Sequence, residues 1–387
     1  MVSKLKKWII FKFSKELQIV RDFDYVLLFL FYKLIKRLND NQILICSESR
    51  SALSGNLLYI DRKIDKNTYD VFYSLKKDII EKRTFKQKRM LCRQLATSKY
   101  IIIDDFMPVI YPLPLRKETR LIQVWHAMGA FKKVGFSRLG KPGGPSPRSL
   151  THRNYTDAIV SSQSIRADYA EAFHIPLASV HALGIPRSDI FFDSEYKERT
   201  RASIYEKYPC LRNKKVVLFA PTFRGNGIRT AHYDYSWLSF AELEKQLGSD
   251  YMVIIKLHPF IKERPAEKLD SDFYLDLSDE REINDLLFVT DVLVTDYSSV
   301  IFEASLLGIR TVFYVPDFEE YVASRDFYYP FSDYTYGDVA GTEDELIGYI
   351  KAGKLDAQKL AAFREKFCGC CDGNCARRFV EFFFSKI

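Results

Sequence analysis

The feature that most constrains the fold of this chain is a series of short, continuous apolar runs separated by helical patterns. Runs that do not alternate with polar residues are typical of parallel strands buried on both faces, with helices crossing between them. At 387 residues, the chain is also longer than one ordinary hydrophobic core accommodates. The sequence therefore predicts an α/β fold of two Rossmann-like, doubly wound domains that face a cleft. The predicted strands are residues 42–46, 100–104, 121–125, 157–161 and 180–184 in the first half, and 216–220, 251–257, 291–295 and 311–315 in the second.

The boundary between the two sets of strands is a charged, helix-like stretch, which predicts a hinge near residues 186–212. We expect a basic, amphipathic N-terminal helical segment at residues 1–40. A first Rossmann-like domain is predicted at 41–200 and a second at 201–387.

The N-terminal segment carries much of the positive charge. Residues 1–40 contain nine Lys or Arg and four Asp or Glu, so they supply five of the eight net positive charges. The apolar run at 25–32 is far shorter than the roughly 20 residues that a bilayer span needs. Two interpretations remain open: the segment lies on an anionic membrane surface, or it packs its apolar face on the body of the protein.

Four of the seven cysteines form a crowded cluster near the C-terminus, at positions 368, 370, 371 and 375. Structural zinc sites generally use two separated pairs of ligands. We therefore expect a turn that enters a helix, no metal site and no disulfides.

Polar side chains stand directly after four of the predicted strands. They are His126, the pair Thr222 and Arg224, His258, and the hydroxyl-rich segment 296–304. In open parallel sheets, ligands bind beyond the carboxyl ends of the strands. These residues are therefore candidates for one functional site.

The second-half candidates suit a nucleotide diphosphate. Ser298 or Ser299 can cap a helix whose free N–H groups and dipole attract phosphate. Glu303, one turn further, can accept hydrogen bonds from ribose hydroxyls. Arg224 offers a guanidinium fork to phosphate oxygens, and His258 can donate to a phosphate or protonate a leaving group.

His126 is the candidate general base, because an unperturbed histidine pKa near 6.5 suits proton abstraction at neutral pH. A basic loop follows it and would hold an anionic acceptor. No HExxH pattern occurs, and we expect neither a metal nor an obligatory cofactor. The four predicted acceptor-binding cations are Lys132, Lys133, Arg138 and Lys141.

An ordered set of motifs makes the chain resemble the CDP-glycerol glycerophosphotransferases of teichoic-acid synthesis and their CDP-ribitol relatives. The resemblance implies two domains in the GT-B arrangement, and monotopic, peripheral association with the cytoplasmic face of the plasma membrane. It also implies transfer of glycerol phosphate or ribitol phosphate from a CDP-polyol to a hydroxyl of a lipid-linked acceptor, with release of CMP. The motifs are VWHAMG (124–129), GIPRSD (184–189), LFAPTFRG (218–225), KLHP (256–259), VTDYSSVIFEA (294–304) and DGNCARR (372–378).

Carried over by motif, the first domain holds the acceptor and the second binds the CDP-polyol. His126 is then the base and His258 acts at the diphosphate. Arg224 binds phosphate, as do both serines of the 294–304 motif, and Glu303 binds the ribose. Thr222 belongs to the same donor site. Many members follow the first histidine with GTPLK, whereas this chain has a longer loop, so the polyol and the acceptor stay open.

Two other functions fit parts of the sequence. A GT-B glycosyltransferase that uses a nucleoside diphosphate sugar on a cell-surface polymer would share the fold. A non-catalytic membrane or nucleic-acid adaptor would not need histidines at strand ends. No aromatic-basic repeat beyond the N-terminal segment indicates a nucleic-acid surface, so we expect no nucleic-acid partner.

Overall fold

The computed structural model describes residues 13–141, 144–225, 227, 229–265, 273–280 and 282–384. Its helices are α1 (Ser14–Arg21), α2 (Phe23–Ile35), α3 (Gly55–Lys63), α4 (Phe85–Thr97), α5 (Arg166–Phe173), α6 (Ser194–Lys207), α7 (Phe240–Leu247), α8 (Ile283–Leu287), α9 (Val300–Leu307), α10 (Phe318–Ser324), α11 (Glu343–Ala352), α12 (Ala357–Cys368) and α13 (Cys375–Phe384). Its strands are β1 (Asn39–Ser47), β2 (Asp70–Leu75), β3 (Ser98–Ile103), β4 (Arg120–Gln123), β5 (Asp157–Ile159), β6 (Val180–His181), β7 (Lys215–Phe219), β8 (Tyr251–Ile255), β9 (Tyr274–Asp276), β10 (Val292–Thr295), β11 (Arg310–Tyr314) and β12 (Asp338–Ala340).

The first of two compact units ends at Asp189 and resumes at Gly369. Its six strands form one sheet in the order β2-β1-β3-β4-β5-β6, and every pairing is parallel. One face of the sheet is covered by α3 and by the C-terminal helix α13, whose Phe379 and Phe383 join the buried core. The Tyr69 hydroxyl donates to the Phe384 carbonyl oxygen at 2.7 Å.

The second unit runs from Ile190 to Cys368 and contains the other six-stranded sheet. The strand order is β12-β11-β10-β7-β8-β9, again with parallel pairing throughout. The expected α/β fold with two parallel sheets is therefore confirmed.

The predicted domain limits need correction at both ends of the second domain. Residue 200 lies inside α6, which belongs wholly to the second unit, so the division falls earlier, after Asp189. Residues from Gly369 onward return to the first unit because α13 buries its aromatic side chains on that sheet. A sequence boundary based on strand order cannot detect a terminal helix that packs on a distant sheet.

Each predicted strand run contains a strand, but three strands were missed: β2, β9 and β12. All three lie at sheet edges. Edge strands have one unpaired side and less burial, so they lack the continuous apolar run that marks a central strand. In β2, Phe72 and Tyr73 are both exposed.

The N-terminal segment forms α1 and α2 over its described part, and residues 1–12 lie outside the described residues. Helix α2 packs on α4 through Tyr25, Phe29 and Tyr32, which are buried. The packing interpretation therefore holds for one face of α2. Among the described residues, we find no helix with both the length and the apolar character required to span a bilayer.

The cysteine cluster forms the turn between α12 and α13, as expected. Asp189, from the GIPRSD motif, caps α13: its carboxylate accepts the backbone N–H groups of Cys375 and Ala376, each at 2.9 Å. Gly184 has a φ of +81°, and a Cβ there would lie 2.4 Å from the Cys375 sulfur. The two motifs thus pack together. In the part of the chain that the structure describes, no three His, Cys, Asp or Glu side chains are grouped to hold a metal.

Candidate functional site

His126 follows β4 at the carboxyl edge of the first sheet, on a turn held in an unusual conformation. Trp125 has a φ of +50°, which is rare for a bulky residue and costs backbone energy. Its N–H donates to the Gln123 side-chain oxygen at 2.8 Å. The Asn56 amide donates to the carbonyls of Val124, at 3.1 Å, and Trp125, at 2.8 Å. This network compensates the strain and fixes the position of the histidine.

The His126 side chain is 42% exposed, and its Nδ1 lies 3.7 Å from a carboxylate oxygen of Asp105. Desolvation by the surrounding protein lowers the pKa of His126, and the cations Arg187 and Arg50 act in the same direction. Asp105 raises the pKa, but the net shift is downward. A lowered pKa keeps the ring neutral at pH 7. The geometry therefore provides a neutral, solvent-accessible base with a carboxylate beside one nitrogen.

Acidic residues at the end of β3 were missed by the sequence reasoning. Asp104 is buried, and burial raises its pKa to about 6 although Arg50 lies 3.1 Å away. Asp105 follows it and approaches His126. The sequence does contain the pattern that marks them, because two aspartates directly follow the apolar run 100–103. Residues that follow a buried strand lie at the carboxyl edge of the sheet, and this argument applies to Asp104 and Asp105 as it does to His126.

The loop after His126 is anchored to the rest of the unit. The Gly129 N–H donates to Ser161 Oγ at 3.0 Å, and the Tyr169 hydroxyl donates to the Gly129 carbonyl at 2.8 Å. Gly135 has a φ of +52°, and a Cβ there would lie 2.1 Å from the Ala172 carbonyl. The predicted acceptor-binding role of the loop cations stays a prediction; Lys132, Lys133 and Arg138 are partly buried and Lys141 is exposed.

Arg224, at the carboxyl edge of the second sheet, is buried and paired with two carboxylates. Its Nε and one terminal nitrogen contact the two Asp317 oxygens at 2.6 and 2.8 Å, and the other terminal nitrogen contacts Asp296 at 2.8 Å. Burial alone would lower the pKa of Arg224, but Asp296 and Asp317 more than reverse this and raise it. With the Thr222 carbonyl, which accepts from the same terminal nitrogen as Asp296 at 2.6 Å, these contacts engage four of the five guanidinium N–H groups.

Asp296 connects two strand ends. One carboxylate oxygen accepts the N–H groups of Thr222, at 2.7 Å, and Tyr297, at 2.6 Å. Its other oxygen receives Arg224. Asp296 therefore brings Thr222 and Arg224 together and links the loop after β7 to the loop after β10.

His258 follows β8 and lies between two aromatic rings, Phe223 and Phe260, with both centroid distances 4.7 Å. Its Nδ1 accepts the Phe260 N–H at 3.1 Å. This hydrogen bond assigns the proton of the neutral ring to Nε2. His258 can thus donate from Nε2, as the predicted role at a diphosphate requires.

The turn into α9 carries the remaining donor candidates. Ser299 is the N-cap residue, but its side chain makes no capping hydrogen bond. Ser298 Oγ accepts the Val300 N–H at 3.4 Å, and both serines are partly exposed. Glu303 is 2% exposed. The serines are accessible from solvent, whereas Glu303 lies within the unit, and the donor-binding roles of all three stay predictions.

Comparison with known proteins decides the family. The family described as CDP-Glycerol:Poly(glycerophosphate) glycerophosphotransferase matches residues 28–385. This chain belongs to that family. A teichoic acid poly(ribitol-phosphate) polymerase of Bacillus spizizenii is 44% identical over 347 residues, which cover 89% of this chain and 56% of that protein. The chain thus spans little more than half the length of that relative.

A teichoic acid ribitol-phosphate primase of the same organism is 36% identical, with 92% of this chain and 94% of the primase covered. Curated relatives named for ribitol phosphate reach 36–44% identity, whereas those named for glycerol phosphate reach 27–29%. The solved structure of the wall teichoic acid polymerase TagF has a TM-score of 0.75 at 19% identity and covers 95% of this chain and 97% of its own. That similarity shows the fold.

Proposed function

We propose that this chain transfers a polyol phosphate, ribitol phosphate in preference to glycerol phosphate, from a CDP-polyol to a hydroxyl of a lipid-linked acceptor. The product would be teichoic acid or a related cell-wall or capsule polymer, and CMP would be released. Membership of the family and the higher identity to relatives named for ribitol phosphate support this proposal. The observation that carries it is His126, a neutral and accessible base fixed at a sheet edge.

In the proposed reaction, the acceptor hydroxyl gives its proton to His126 Nε2, since Nδ1 faces Asp105. The hydroxyl oxygen attacks the β-phosphorus in line, a P–O bond forms, and the bond to CMP breaks. His258 Nε2 donates to the departing phosphate, and the amide groups at the start of α9 stabilise its charge.

Arg224 would act on this site by positioning. Its two ion pairs fix the loop that carries Thr222 relative to the segment that leads to Ser298. We propose that the reaction needs no obligatory cofactor, since hydrogen bonds from His258 Nε2 and the α9 amides can stabilise the charge of the diphosphate. Undiminished transfer in excess EDTA, with a matched untreated sample, would support this; restoration of lost activity by a divalent cation would contradict it.

The outward face of the N-terminal helices supports a location on a membrane surface. Apolar side chains recur along it at helical spacing, and Leu34 at the end of α2 is 86% exposed. We propose that this face rests on anionic lipid at the cytoplasmic side of the membrane, while the opposite face packs on α4. The exposed apolar residues are Phe13, Leu17, Val20, Phe23, Leu27, Leu30, Phe31, Leu34 and Ile35.

The connection between β2 and α4 adds a second surface of the same kind. Ile79 and Ile80 are 55% and 81% exposed. Around them in sequence, three exposed cations, Lys77, Lys82 and Lys86, outnumber the exposed acids Asp78 and Glu81. Basic residues near a bilayer of anionic lipid each contribute about 1 kcal/mol. We propose that this connection touches the same lipid surface.

Flotation with vesicles that contain phosphatidylglycerol tests both surfaces without catalysis. Leu27→Asp with Leu34→Asp, and separately Ile79→Asp with Ile80→Asp, should each reduce binding strongly while melting temperature is kept. Leu177→Asp, at another exposed apolar residue of the first unit, is the control. Binding equal to that of the control would contradict the membrane proposal.

The alternative function is transfer of a sugar from a nucleoside diphosphate sugar. Incubation with CDP-ribitol, CDP-glycerol and UDP-sugars separates the two, because the proposed reaction releases CMP whereas the alternative releases a nucleoside diphosphate. CMP release that depends on an acceptor would support the proposal. UDP release from a UDP-sugar, with no CMP from either CDP-polyol, would overturn it.

A further inference from the structure

Gln123 is a buried amide at the end of a strand that is otherwise apolar at its buried positions. It closes β4 after Leu121 and Ile122, and all three residues are 0% exposed. Burial of an amide costs free energy unless its polar atoms are hydrogen-bonded, and an apolar side chain of the same size would avoid this cost. What matters at this position is therefore which groups the amide holds. Neither the motifs nor the relatives assign it a role.

The Gln123 side chain connects the segment after β3 to the segment after β4. Its oxygen accepts the Trp125 N–H at 2.8 Å, and its amide nitrogen donates to the Asp105 carbonyl oxygen at 3.2 Å. The same nitrogen donates to the Tyr155 hydroxyl at 3.0 Å, so both amide hydrogens are used. One side chain thus ties the backbone of Asp105 to the backbone that directly precedes His126.

The Asp105 carboxylate is oriented by its own backbone. One of its oxygens accepts the Phe106 N–H at 2.7 Å, and the other lies 3.7 Å from His126 Nδ1. A separation of 3.7 Å is too long for a hydrogen bond, so this contact does not by itself fix the two side chains. The placement of the carboxylate beside the ring therefore depends on the two backbone segments that Gln123 connects.

The other end of this hydrogen-bond network is anchored in the core of the first unit. Tyr155 and Tyr111 are 6% and 2% exposed, and their hydroxyl oxygens are 3.1 Å apart. The Met107 N–H donates to the Tyr111 hydroxyl at 3.3 Å. The segment 105–107 is thus held at two points, and a buried network with its members satisfied favours one geometry.

The turn before His126 depends on the same amide. The φ of +50° at Trp125 is unfavourable for a bulky side chain. Asn56 binds the Trp125 carbonyl, and Gln123 binds the Trp125 N–H. Without the Gln123 bond, the turn can relax toward a common backbone conformation and carry the histidine away from Asp105.

We infer that Gln123 is a positioning residue for the reaction proposed above, and that it keeps the Asp105 carboxylate and the His126 ring side by side. Because it is buried, it acts through the backbones of Asp105 and Trp125 and does not touch a substrate. The reaction rests on the proposed function, whereas the placement of the two side chains does not.

A cycle of substitutions measures this placement in the full chain without substrate. Asp105→Asn removes the carboxylate and should shift the pKa of His126, measured by NMR titration of a ring signal that is absent from His126→Ala. In a Gln123→Met background, the same change should shift the pKa less than half as much, because the carboxylate is no longer held beside the ring. Arg50 and Arg187 also act on this pKa and are present throughout the cycle. Equal shifts in both backgrounds, or no shift in either, would overturn the inference.

Gln42→Met is the matched control. Gln42 is 7% exposed in β1 of the same sheet, and its amide donates to Thr97 Oγ1 and Ser98 Oγ, each at 2.8 Å. It lies toward the amino end of its strand, whereas His126 follows the carboxyl end of β4. The Asp105→Asn shift should therefore be kept in this background. A reduction equal to that in Gln123→Met would indicate general loosening of the sheet and would overturn the inference.

Gln123→Asn provides the same test if Gln123→Met does not fold. It keeps an amide but is one methylene shorter, so it cannot reach the Trp125 N–H and the Asp105 carbonyl together. It should likewise reduce the Asp105→Asn shift to less than half, and an undiminished shift would contradict the role of Gln123.

Kinetics add a readout that a purely structural role would not move. In assays of CMP release, Gln123→Met should lower kcat about 10–100-fold with the donor KM kept, and Gln42→Met should change neither. An unchanged kcat in Gln123→Met would overturn the positioning role. If the native chain releases no CMP from any CDP-polyol, the proposed function fails, and the pKa cycle still decides whether Gln123 places Asp105 beside His126.

Discussion

The carboxyl edges of the two sheets carry similar sequence signals but differ in what surrounds the charged group. His126 is 42% exposed, and the Asp105 carboxylate lies 3.7 Å from its Nδ1. Arg224 is buried and engages two carboxylates through three nitrogens at 2.6–2.8 Å. A polar residue after a buried strand therefore predicts where a group lies, and its partners decide whether it can meet a substrate or holds the structure together.

The largest effect is expected from His126→Ala. Loss of the proposed general base should reduce kcat about 10²–10⁴-fold, while the affinity for the proposed CDP-polyol donor is kept. Since the side chain is 42% exposed, thermal stability should hardly change. Steady-state kinetics, donor calorimetry and a melting curve provide the measurements. Near-normal turnover would show that His126 is not the base.

Arg224→Met should act on stability. Removal of one partner from a buried pair leaves Asp296 and Asp317 uncompensated and costs about 3–5 kcal/mol of the free energy of unfolding. Urea unfolding measures this, with Lys354→Ala as an exposed control in the same unit that should shift the unfolding free energy by less than about 0.5 kcal/mol. Unchanged stability with weakened donor binding would instead support direct phosphate binding by Arg224.

Asp105→Asn tests the contrast between His126 and Arg224, because it removes the carboxylate that lies 3.7 Å from His126 Nδ1. The carboxylate favours protonated His126, so its loss should lower the pKa of the histidine further. A lower pKa keeps the ring neutral in more acidic solution, and the acid limb of the kcat profile should move to lower pH by up to about one unit. Histidine NMR titration checks the same shift without substrate; an unmoved pKa would remove Asp105 from the site.

The smallest effect is expected from Lys132→Ala with Lys133→Ala. If these cations hold acceptor phosphates, the acceptor KM should rise by about fivefold for each ~1 kcal/mol lost, with kcat kept. Lys351→Ala, on α11 of the second unit, is a matched charge control. An unchanged acceptor KM would exclude Lys132 and Lys133 from acceptor binding.

Much of the fold could be read from the sequence because burial of a central parallel strand leaves a local signature. Runs such as Val217–Phe219 are apolar without interruption, and their ends place the following residues at a sheet edge. Strands β2, β9 and β12 lack this signature because they are edge strands. The attachment of α13 to the first unit depends on Phe379 and Phe383, whose amphipathic pattern does not state which sheet they cover.

By itself the sequence determined the α/β class, the central strands and the positions of His126, His258, Arg224 and the serines at strand ends. Only the tertiary structure decided which of these side chains are accessible to solvent and which are engaged by other residues. Asp317, which pairs with Arg224, is 93 residues away along the chain. Asp105, which lies near His126, follows the end of a different strand, β3. The strand pattern is set by residues that are neighbours in sequence. The charge state and accessibility of a site residue are set by partners that only folding brings near, and no local pattern encodes them.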